Sequence, residues 1–406
     1  MAMARIVRNM KIGEIRDLVR MKPVELNATT RRLSACHSIE DLRGAARRLI
    51  PRPVFDYVDG AADEEISVRA NRDAFRRYRF RPCALADVSA VGTQARVLGK
   101  ELALPLGFAP TGYTRMMHPA GEIAVARVAR QHGLPYTLST MATTPIEDLR
   151  QITGHDDLWF QLYVMRDASL NKELVARADA AGYRVLMVTV DTAVPGHRTR
   201  DERNGLIIPP ALTAGTLAGI AVHPGYWLRM LRNPAIQFAN LPVQAKTIAG
   251  SASLFDPGVS WDTIAGLRAQ WPGKLVLKGP LGPDDARRAI DLGADGIVLS
   301  NHGGRQLDRA IAPIDLVADV RDALGPEPAI LVDSGVRHGA DIAVALALGA
   351  DAVLIGRAYL YGLMAGGEPG VAKAVGILTK QFTRTLQLLG VHSPAELRSR
   401  GHELVD

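Results

Sequence analysis

From about residue 103 onward the chain alternates two kinds of apolar pattern. Short continuous apolar runs, with the length and branched side chains of buried strands, end in small or polar residues. They are PLGFAP ending at Pro110, YTLS at Ser139, WFQLYV at Val164, VLMVTVD at Asp191, KLVLKG at Gly279, GIVLS at Ser300, AILVDSG at Gly335 and AVLIG at Gly356. Between most of them lie segments with helical spacing, for instance 121–133 and 283–293. LGADGIVLS and LGADAVLIG repeat one unit near the end of the chain. Upstream, residues 1–35 read as extended or irregular. Ser38 with Asp41 three residues on is a capping-box pattern, which predicts a helix to about Leu49, ended by Pro51 and Pro53. A second short helix is expected over 54–65.

Eight strand–helix units over about 250 residues match an α/β fold of the (β/α)₈ TIM-barrel type in length and rhythm. An open doubly wound sheet is the alternative, but no Gly-rich dinucleotide fingerprint follows the first strand. One interval is anomalous. Between Asp191 and Gly279 lie 87 residues, against about 20 to 34 elsewhere. One helix belongs there, and the rest, about 204–250, is an insertion after strand 4. It leaves from a strand's C-terminal end, where barrel active sites sit. The expected organisation is a basic arm over 1–37 and one barrel unit over 38–406, with an N-terminal helical extension and this insertion.

Charge adds little to the barrel. The formal net charge is +7, and residues 1–50 hold 11 Lys/Arg against 5 Asp/Glu, so the remainder is nearly neutral. No Lys/Arg stripe with interleaved aromatics follows, so nucleic acid is not expected as a partner. Cys36 and Cys83 have no metal-type spacing, and no metal is expected. The N-terminus lacks the apolar core of a secretory signal, which suggests the cytoplasm. The run 204–228 carries no charged residue, yet Pro209, Pro210, Pro224 and several glycines break it, so a membrane-spanning helix is not expected. Tyr226 and Trp227, followed by Arg229, Arg232 and Lys246, have the composition of a membrane-interface contact. A lid or a subunit contact, the two taken together, is an equal alternative.

The strand ends carry the chemistry. In a barrel they converge on one mouth. They bring Pro110, Thr111 and Gly112, Ser139, Gln161 and Tyr163, Thr189 and Asp191, Lys278, Ser300, His302 and Arg305, Asp333, and Gly356 with Arg357. His302 can accept a proton near neutral pH, and Arg305 can hold a carboxylate by paired hydrogen bonds. That pairing suggests chemistry on the carbon beside a carboxylate. The last two loops, with Asp333, Ser334, Gly335, Arg337, Gly356 and Arg357, suit a phosphate. Lys278 between the two halves can stabilise negative charge on a phosphorylated cofactor. Tyr57 is either a core aromatic or a group reaching the site, and spacing alone favours the core.

SNHGGRQLD, FQLYV, TVDT, LVLKG, VDSGVR and IGRAYLYG, widely separated and in order, resemble the FMN-dependent 2-hydroxy acid dehydrogenases and oxidases. The likeness runs from about Ile39 to the C-terminus and is nearest to the bacterial flavin-type L-lactate dehydrogenases. It implies FMN as cofactor and His302 as general base paired with Asp191. It implies Arg305, Arg198 and Tyr57 at the substrate carboxylate, and Tyr163 near the hydroxyl. Lys278 then lies at the flavin N1–C2 edge, and Pro110, Thr111, Gly112, Ser139, Gln161, Thr189 and Ser300 become flavin contacts. Asp333 to Arg337 with Gly356 and Arg357 match the ribityl and phosphate loops. Hydride transfer and proton abstraction both need His302. Gly112 and Met141 favour a dehydrogenase over an oxidase, with L-lactate ahead of a mandelate-type aryl substrate. The resemblance further implies a quinone or similar electron acceptor and a homotetramer. Its expected location is cytoplasmic, with the insertion offering a contact at the inner face of the cell membrane.

Overall fold

The structure, a computed structural model, describes residues 25–204, 222–242 and 254–406. Eight parallel strands close into a barrel. They are β3 (Leu106–Phe108), β4 (Tyr136–Ser139), β5 (Leu158–Tyr163), β6 (Val185–Thr189), β7 (Lys274–Gly279), β8 (Gly296–Leu299), β9 (Ala329–Val332) and β10 (Ala352–Ile355), and β10 pairs β3. All eight expected strands are present in the expected order. A two-stranded hairpin, β1 (Ala95–Val97) and β2 (Lys100–Leu102), was not anticipated. It turns through Leu98 (φ 47°) and Gly99 (φ 80°), and three-residue strands are too short to show a period.

The barrel strands alternate strictly. Phe160, Leu186, Val188, Leu277, Leu299 and Val332 face the outer helices and join the main core. Trp159, Val185, Met187, Val276, Val298 and Leu331 point inward and pack with Val97, Leu98 and Leu102 of the hairpin. The hairpin therefore plugs the N-terminal end of the barrel. Continuing each inward row toward the C-terminal end gives Gln161 and Tyr163, Thr189 and Asp191, Lys278, Ser300 and Asp333. One period of two thus switches from apolar at the plugged end to polar at the open end.

The helices, in chain order, are α1 (Ala28–Ser34), α2 (Ile39–Leu49), α3 (Arg52–Asp59), α4 (Ile66–Arg77), α5 (Thr114–Met117), α6 (Gly121–Gln131), α7 (Ile146–Thr153) and α8 (Ala168–Ala180). Then come α9 (Thr199–Arg203), α10 (Pro224–Leu231), α11 (Trp261–Gln270), α12 (Pro283–Asp291), α13 (Val317–Leu324), α14 (Gly339–Ala347), α15 (Arg357–Leu389), α16 (Pro394–Ser399) and α17 (Gly401–Leu404). The Ser38–Asp41 capping box is formed, and α2 ends at Leu49 as expected.

Three expectations need correction. Part of 1–35 is helical: Asn27 caps α1 by accepting from the amides of Thr29 and Thr30. Only Leu33 of that helix is buried, so there is no apolar stripe to read. Residues 1–24 lie outside the described residues. The second helix stops at Asp59 and not at 65, because Gly60 is extended and Asp63 (φ 45°) and Glu65 (φ 61°) are left-handed. Those conformations carry no glycine signature. Third, Tyr226 does not face a membrane. It is buried in the core, and its hydroxyl donates to the Met116 carbonyl at 2.9 Å, with Trp227 packed edge-on beside it. Exposed on α10, besides Pro224 and Gly225 at its start, are Leu228, Arg229 and Leu231. Much of the insertion, including Lys246, falls outside the described residues. Among the described residues no helix is long and apolar enough to cross a membrane.

The repeated LGAD units have one physical role. Asp295 accepts from the Leu275 amide at 2.9 Å and from Lys274 and Arg268. Asp351 accepts from the Ile330 amide at 2.8 Å and from Arg321 at 2.7 Å. Each carboxylate ties its own strand to the preceding one. Helix α15 is broken at Gly366 and Gly367, which brings Gly362 against Gly370: a Cβ on Gly370 would lie 1.9 Å from the Gly362 carbonyl oxygen. Gly376, farther along, has nothing within 4 Å of a Cβ. Gly370→Ala is therefore expected to destabilise by about 3 kcal/mol through overpacking. Gly376→Ala is expected to stabilise by about 0.5–1 kcal/mol through helix propensity. Thermal unfolding of the two variants checks this, and a drop in Tm for Gly376→Ala would contradict it.

Candidate active site

The open end of the barrel holds a cavity of about 1360 Å³ counted out to its mouth. Its walls include Tyr57, Pro110, Thr111, Gly112, Tyr163, Arg198, Lys278, His302, Arg305, Asp333, Ser334, Gly335, Arg337, Gly356 and Arg357. Of the residues singled out in the sequence, Asp191, Ser139, Gln161, Thr189 and Ser300 are not in the wall. They form the layer directly behind it.

The turn after β8 sets the geometry. His302 (φ 58°), Gly303 (φ 65°) and Gly304 (φ 75°) are all left-handed. Such a conformation is unfavourable for histidine and persists only where its surroundings fix it. Here the His302 amide donates to Ser300 Oγ at 3.0 Å and the Gly303 amide to Ser334 Oγ at 2.9 Å. Asn301 exchanges two side-chain hydrogen bonds with Asn71 of α4, at 2.7 and 2.8 Å. Asp308 accepts from the amides of Glu64, Ile66 and Ser67, filling the first turn of α4, which has no cap of its own. The turn and the N-terminal extension therefore hold each other.

His302 Nδ1 lies 3.1 and 3.3 Å from the two Asp191 oxygens, and its Nε2 lies 3.3 Å from the Tyr163 hydroxyl. Burial alone would push the Asp191 carboxyl up, but His302 and then Lys278 outweigh it, and the group sits below the usual carboxylate range. An ionised Asp191 places the ring proton on Nδ1 and leaves Nε2 as the acceptor. Burial, with Asp191 adding to it, pushes the Tyr163 hydroxyl well up, so it stays protonated beside Nε2. Asp191 is itself located by Gln306, whose Nε2 donates to the Asp191 and Val194 carbonyls. Gly196 passes so close to this turn that a Cβ would lie 2.2 Å from the Arg305 carbonyl oxygen.

Two guanidiniums flank the histidine. Arg305 lies 5.0 Å and Arg198 5.8 Å from the centre of the Tyr57 ring. Arg305 donates through Nη1 to the carbonyls of Tyr57 (2.6 Å) and Gly60 (3.1 Å), and Arg198 through Nε to Asp201 (2.7 Å). Burial, then Arg198, pulls the Arg305 guanidinium down. Among the described residues no carboxylate is paired with Arg305, and its Nη2 and both terminal nitrogens of Arg198 have no hydrogen-bond partner. Two adjoining cations with unused donors have the charge and geometry that suit a carboxylate.

The other half suits a flavin mononucleotide. Ser139 Oγ donates to Gln161 Oε1 at 2.9 Å and Gln161 Nε2 to Thr189 Oγ1 at 3.0 Å, a hydrogen-bonded row across β4, β5 and β6. Lys278, 3% exposed, meets Ser300 Oγ at 2.9 Å and Asp333 at 3.4 Å. A buried ammonium beside a row of amide and hydroxyl groups fits a heteroaromatic edge that gains negative charge. Arg337 and the glycines at 335 and 356, before the start of α15, supply positive charge and backbone amides for a phosphate. Arg357 lines the same cavity, but Nε, Nη1 and Nη2 donate to the carbonyls of Val58, Gly303 and Gly60 at 2.7–2.9 Å. Burial pushes its guanidinium down to about 10.

Three groups had no assigned part in the sequence reading. Gln306 and Asn301 sit inside the SNHGGRQLD motif, which is where a search for supporting groups would begin. Phe255 lines the cavity and lies 4.8 Å, ring to ring, from Tyr163. It arrives on the return of the insertion, pinned by the Arg166 amide to the Leu254 carbonyl and the Asp256 amide to the Val164 carbonyl. Nothing local in the sequence marks it.

Comparison with known proteins agrees with this geometry. The family model described as FMN-dependent dehydrogenase matches residues 46–403. A protein of Mycobacterium tuberculosis provisionally named L-lactate dehydrogenase is 48% identical over 97% of this chain and 96% of its own. An L-lactate dehydrogenase of Caulobacter vibrioides is 39% identical over 89% of this chain and 96% of its own. Among solved structures, a monotopic membrane protein, (S)-mandelate dehydrogenase, superimposes with a TM-score of 0.87 at 40% identity, covering 92% of this chain and 99% of its own. The chain belongs to the FMN-dependent dehydrogenase family, and FMN is its cofactor.

Proposed function

We propose that the protein oxidises an L-2-hydroxy acid, with L-lactate as the first substrate, and passes the electrons to a quinone or similar respiratory acceptor. One observation carries this reading: His302, paired with an ionised Asp191, stands beside two guanidiniums that have donors to spare. Bound FMN supplies a two-electron acceptor. Arg198 and Arg305, with Tyr57, hold the substrate carboxylate and so fix the neighbouring carbon. His302 Nε2 takes the proton of the hydroxyl, Asp191 stabilises the imidazolium that results, and Tyr163 steadies the oxygen. Lys278 compensates the charge that develops on the cofactor side. Ser139, Gln161, Thr189 and Ser300, with Pro110, Thr111 and Gly112, frame the ring, and residues 333–337 with 356–357 hold the phosphate end. The names of the relatives from Mycobacterium tuberculosis and Caulobacter vibrioides support L-lactate.

An aryl 2-hydroxy acid is the second reading, favoured by the flexible Met141 and the aromatic Phe255 in the cavity wall and by the superposition on (S)-mandelate dehydrogenase. Residues 38–406 form the catalytic unit, 1–37 its basic arm, and 204–250 an insertion. The assembly is a homotetramer. The insertion brings the mouth to the inner face of the cell membrane, through Leu228, Leu231 and Arg229 of α10 and not through Tyr226. The description of (S)-mandelate dehydrogenase as monotopic supports that placement.

His302→Gln should keep FMN and lose turnover with L-lactate by about three or more orders of magnitude in a dye-reduction assay. Turnover near wild type would overturn the role of the histidine. Arg305→Lys keeps the charge but not the fork, and should raise KM and slow reduction; unchanged steady-state constants would remove Arg305 from the carboxylate site. Replacing 204–250 by a short Gly/Ser linker should abolish co-sedimentation with anionic liposomes at low salt. If the intact protein also stays in the supernatant, the membrane contact is wrong.

A further inference from the structure

Asp59 is the last residue of α3, 8% exposed, and lies outside the cavity wall. Its carboxylate accepts four hydrogen bonds from three separate elements. Arg43 of α2 donates through Nε at 2.6 Å and Nη2 at 2.9 Å, the Tyr361 hydroxyl of α15 at 2.8 Å, and Arg200 Nη1 of α9 at 3.1 Å. Arg200 Nη2 continues to Glu65 at 2.6 Å. One turn earlier on α3, Asp56 accepts from Asn204 Nδ2 at 2.9 Å. Burial alone would push the Asp59 carboxyl up, but Arg43, Tyr361 and Arg200 outweigh it and hold it well below the usual range. The group is therefore a permanent buried anion.

Its position in the chain gives this anion a consequence for the site. Asp59 is two residues from Tyr57, and Arg200 is two residues from Arg198. Arg198 and Arg305 come from different loops, after β6 and after β8, and like charge pushes them apart in a partly desolvated mouth. Arg305 is tied to the end of α3 through the Tyr57 and Gly60 carbonyls. Arg198 hydrogen-bonds through Nε to Asp201 of the short helix that follows it, and its guanidinium lies 5.8 Å from the centre of the Tyr57 ring. That helix is docked on the N-terminal extension by Arg200 on Asp59 and Glu65, by Asn204 on Asp56, and by Asp63, whose amide donates to the His197 carbonyl at 2.9 Å and whose carboxylate meets His197 Nδ1 at 2.9 Å; the contacts to α3 itself are those of Arg200 and Asn204.

We propose that Asp59 and Arg200 are a positioning pair that fixes the spacing of Arg198 from Tyr57 and Arg305, and so creates the two-arginine carboxylate site. This rests on the hydroxy acid reading above. Neither residue touches substrate or cofactor. Their loss should weaken recognition of the carboxylate while leaving the His302–Asp191 pair and the flavin site intact.

The test uses the full-length, FMN-loaded enzyme. Asp59→Asn and Arg200→Gln are compared with wild type for oxalate affinity, read from the flavin spectrum, and for KM and kcat with L-lactate. Each variant should raise the oxalate Kd and the KM by about tenfold, with kcat changed far less and flavin content unchanged. Arg200→Lys should recover part of the loss, and the double variant should be no worse than the worse single one, since both cut one linkage. Unchanged Kd and KM in a flavin-loaded variant would overturn the pair, as would additive losses or a fall in kcat alone. Should Asp59→Asn not fold, Arg200→Gln, whose side chain is 36% exposed, decides by itself. A wild-type enzyme that neither oxidises L-lactate nor binds oxalate would overturn the functional reading, and the pair with it; an active wild type with unaffected variants would overturn the pair alone.

Discussion

A closed barrel of parallel strands ends all its strands at one rim, and the groups from Ser139 to Asp333 that line or back the cavity depend on that constraint. Each inward row is apolar where the β1–β2 hairpin plugs the barrel and polar where the strands stop. The polar layer behind the wall runs across adjacent strands, since Gln161 reaches both Ser139 on one neighbouring strand and Thr189 on the other. Curvature of the barrel brings Lys278 of β7 to both Ser300, at the end of β8, and Asp333, at the end of β9, so that an ammonium can be buried with partners. A buried cation without them would cost several kcal/mol.

The N-terminal extension is the second half of the mouth. The carbonyls at the end of α3 would be left without intrahelical partners. They are taken by Arg305 and Arg357, with Tyr57, Val58 and Gly60 as acceptors. Favourable interaction between a helix C-terminus and cations thus serves two purposes. It completes the helix, and it gathers guanidiniums beside His302. Asp59, at the same helix end, adds the compensating anion. The left-handed turn at 302–304 is held from the barrel side by Ser300 and Ser334 and from the extension side by Asn71.

How much of this could be read beforehand follows from the range of the interactions. The strands were legible because each is a buried apolar run with a polar end, and the catalytic groups because they sit at those ends. The bounds of α3 were not legible, since Asp63 and Glu65 adopt left-handed conformations without the glycine that usually announces them. The direction of Tyr226 depends on a carbonyl 110 residues away, and the aromatic-plus-basic composition around it points the other way. Phe255 reaches the site only because backbone bonds pin its segment to the end of β5. Arg357 belongs to a motif that suggests a phosphate, and nothing local shows that three of its five N–H groups also donate to carbonyls. In each case the missing information is a tertiary partner, which no local period encodes.

On the proposed reading, this mouth passes electrons from an L-2-hydroxy acid to FMN with His302 as the proton acceptor. The most direct measurement is an anaerobic titration of the purified, FMN-loaded protein with the two enantiomers of lactate, followed by absorbance of the oxidised flavin. The account predicts complete bleaching by one equivalent of L-lactate, none by D-lactate over the same time, and recovery of the colour on adding a quinone. Retention of the oxidised spectrum with L-lactate and with every other L-2-hydroxy acid tested would contradict it.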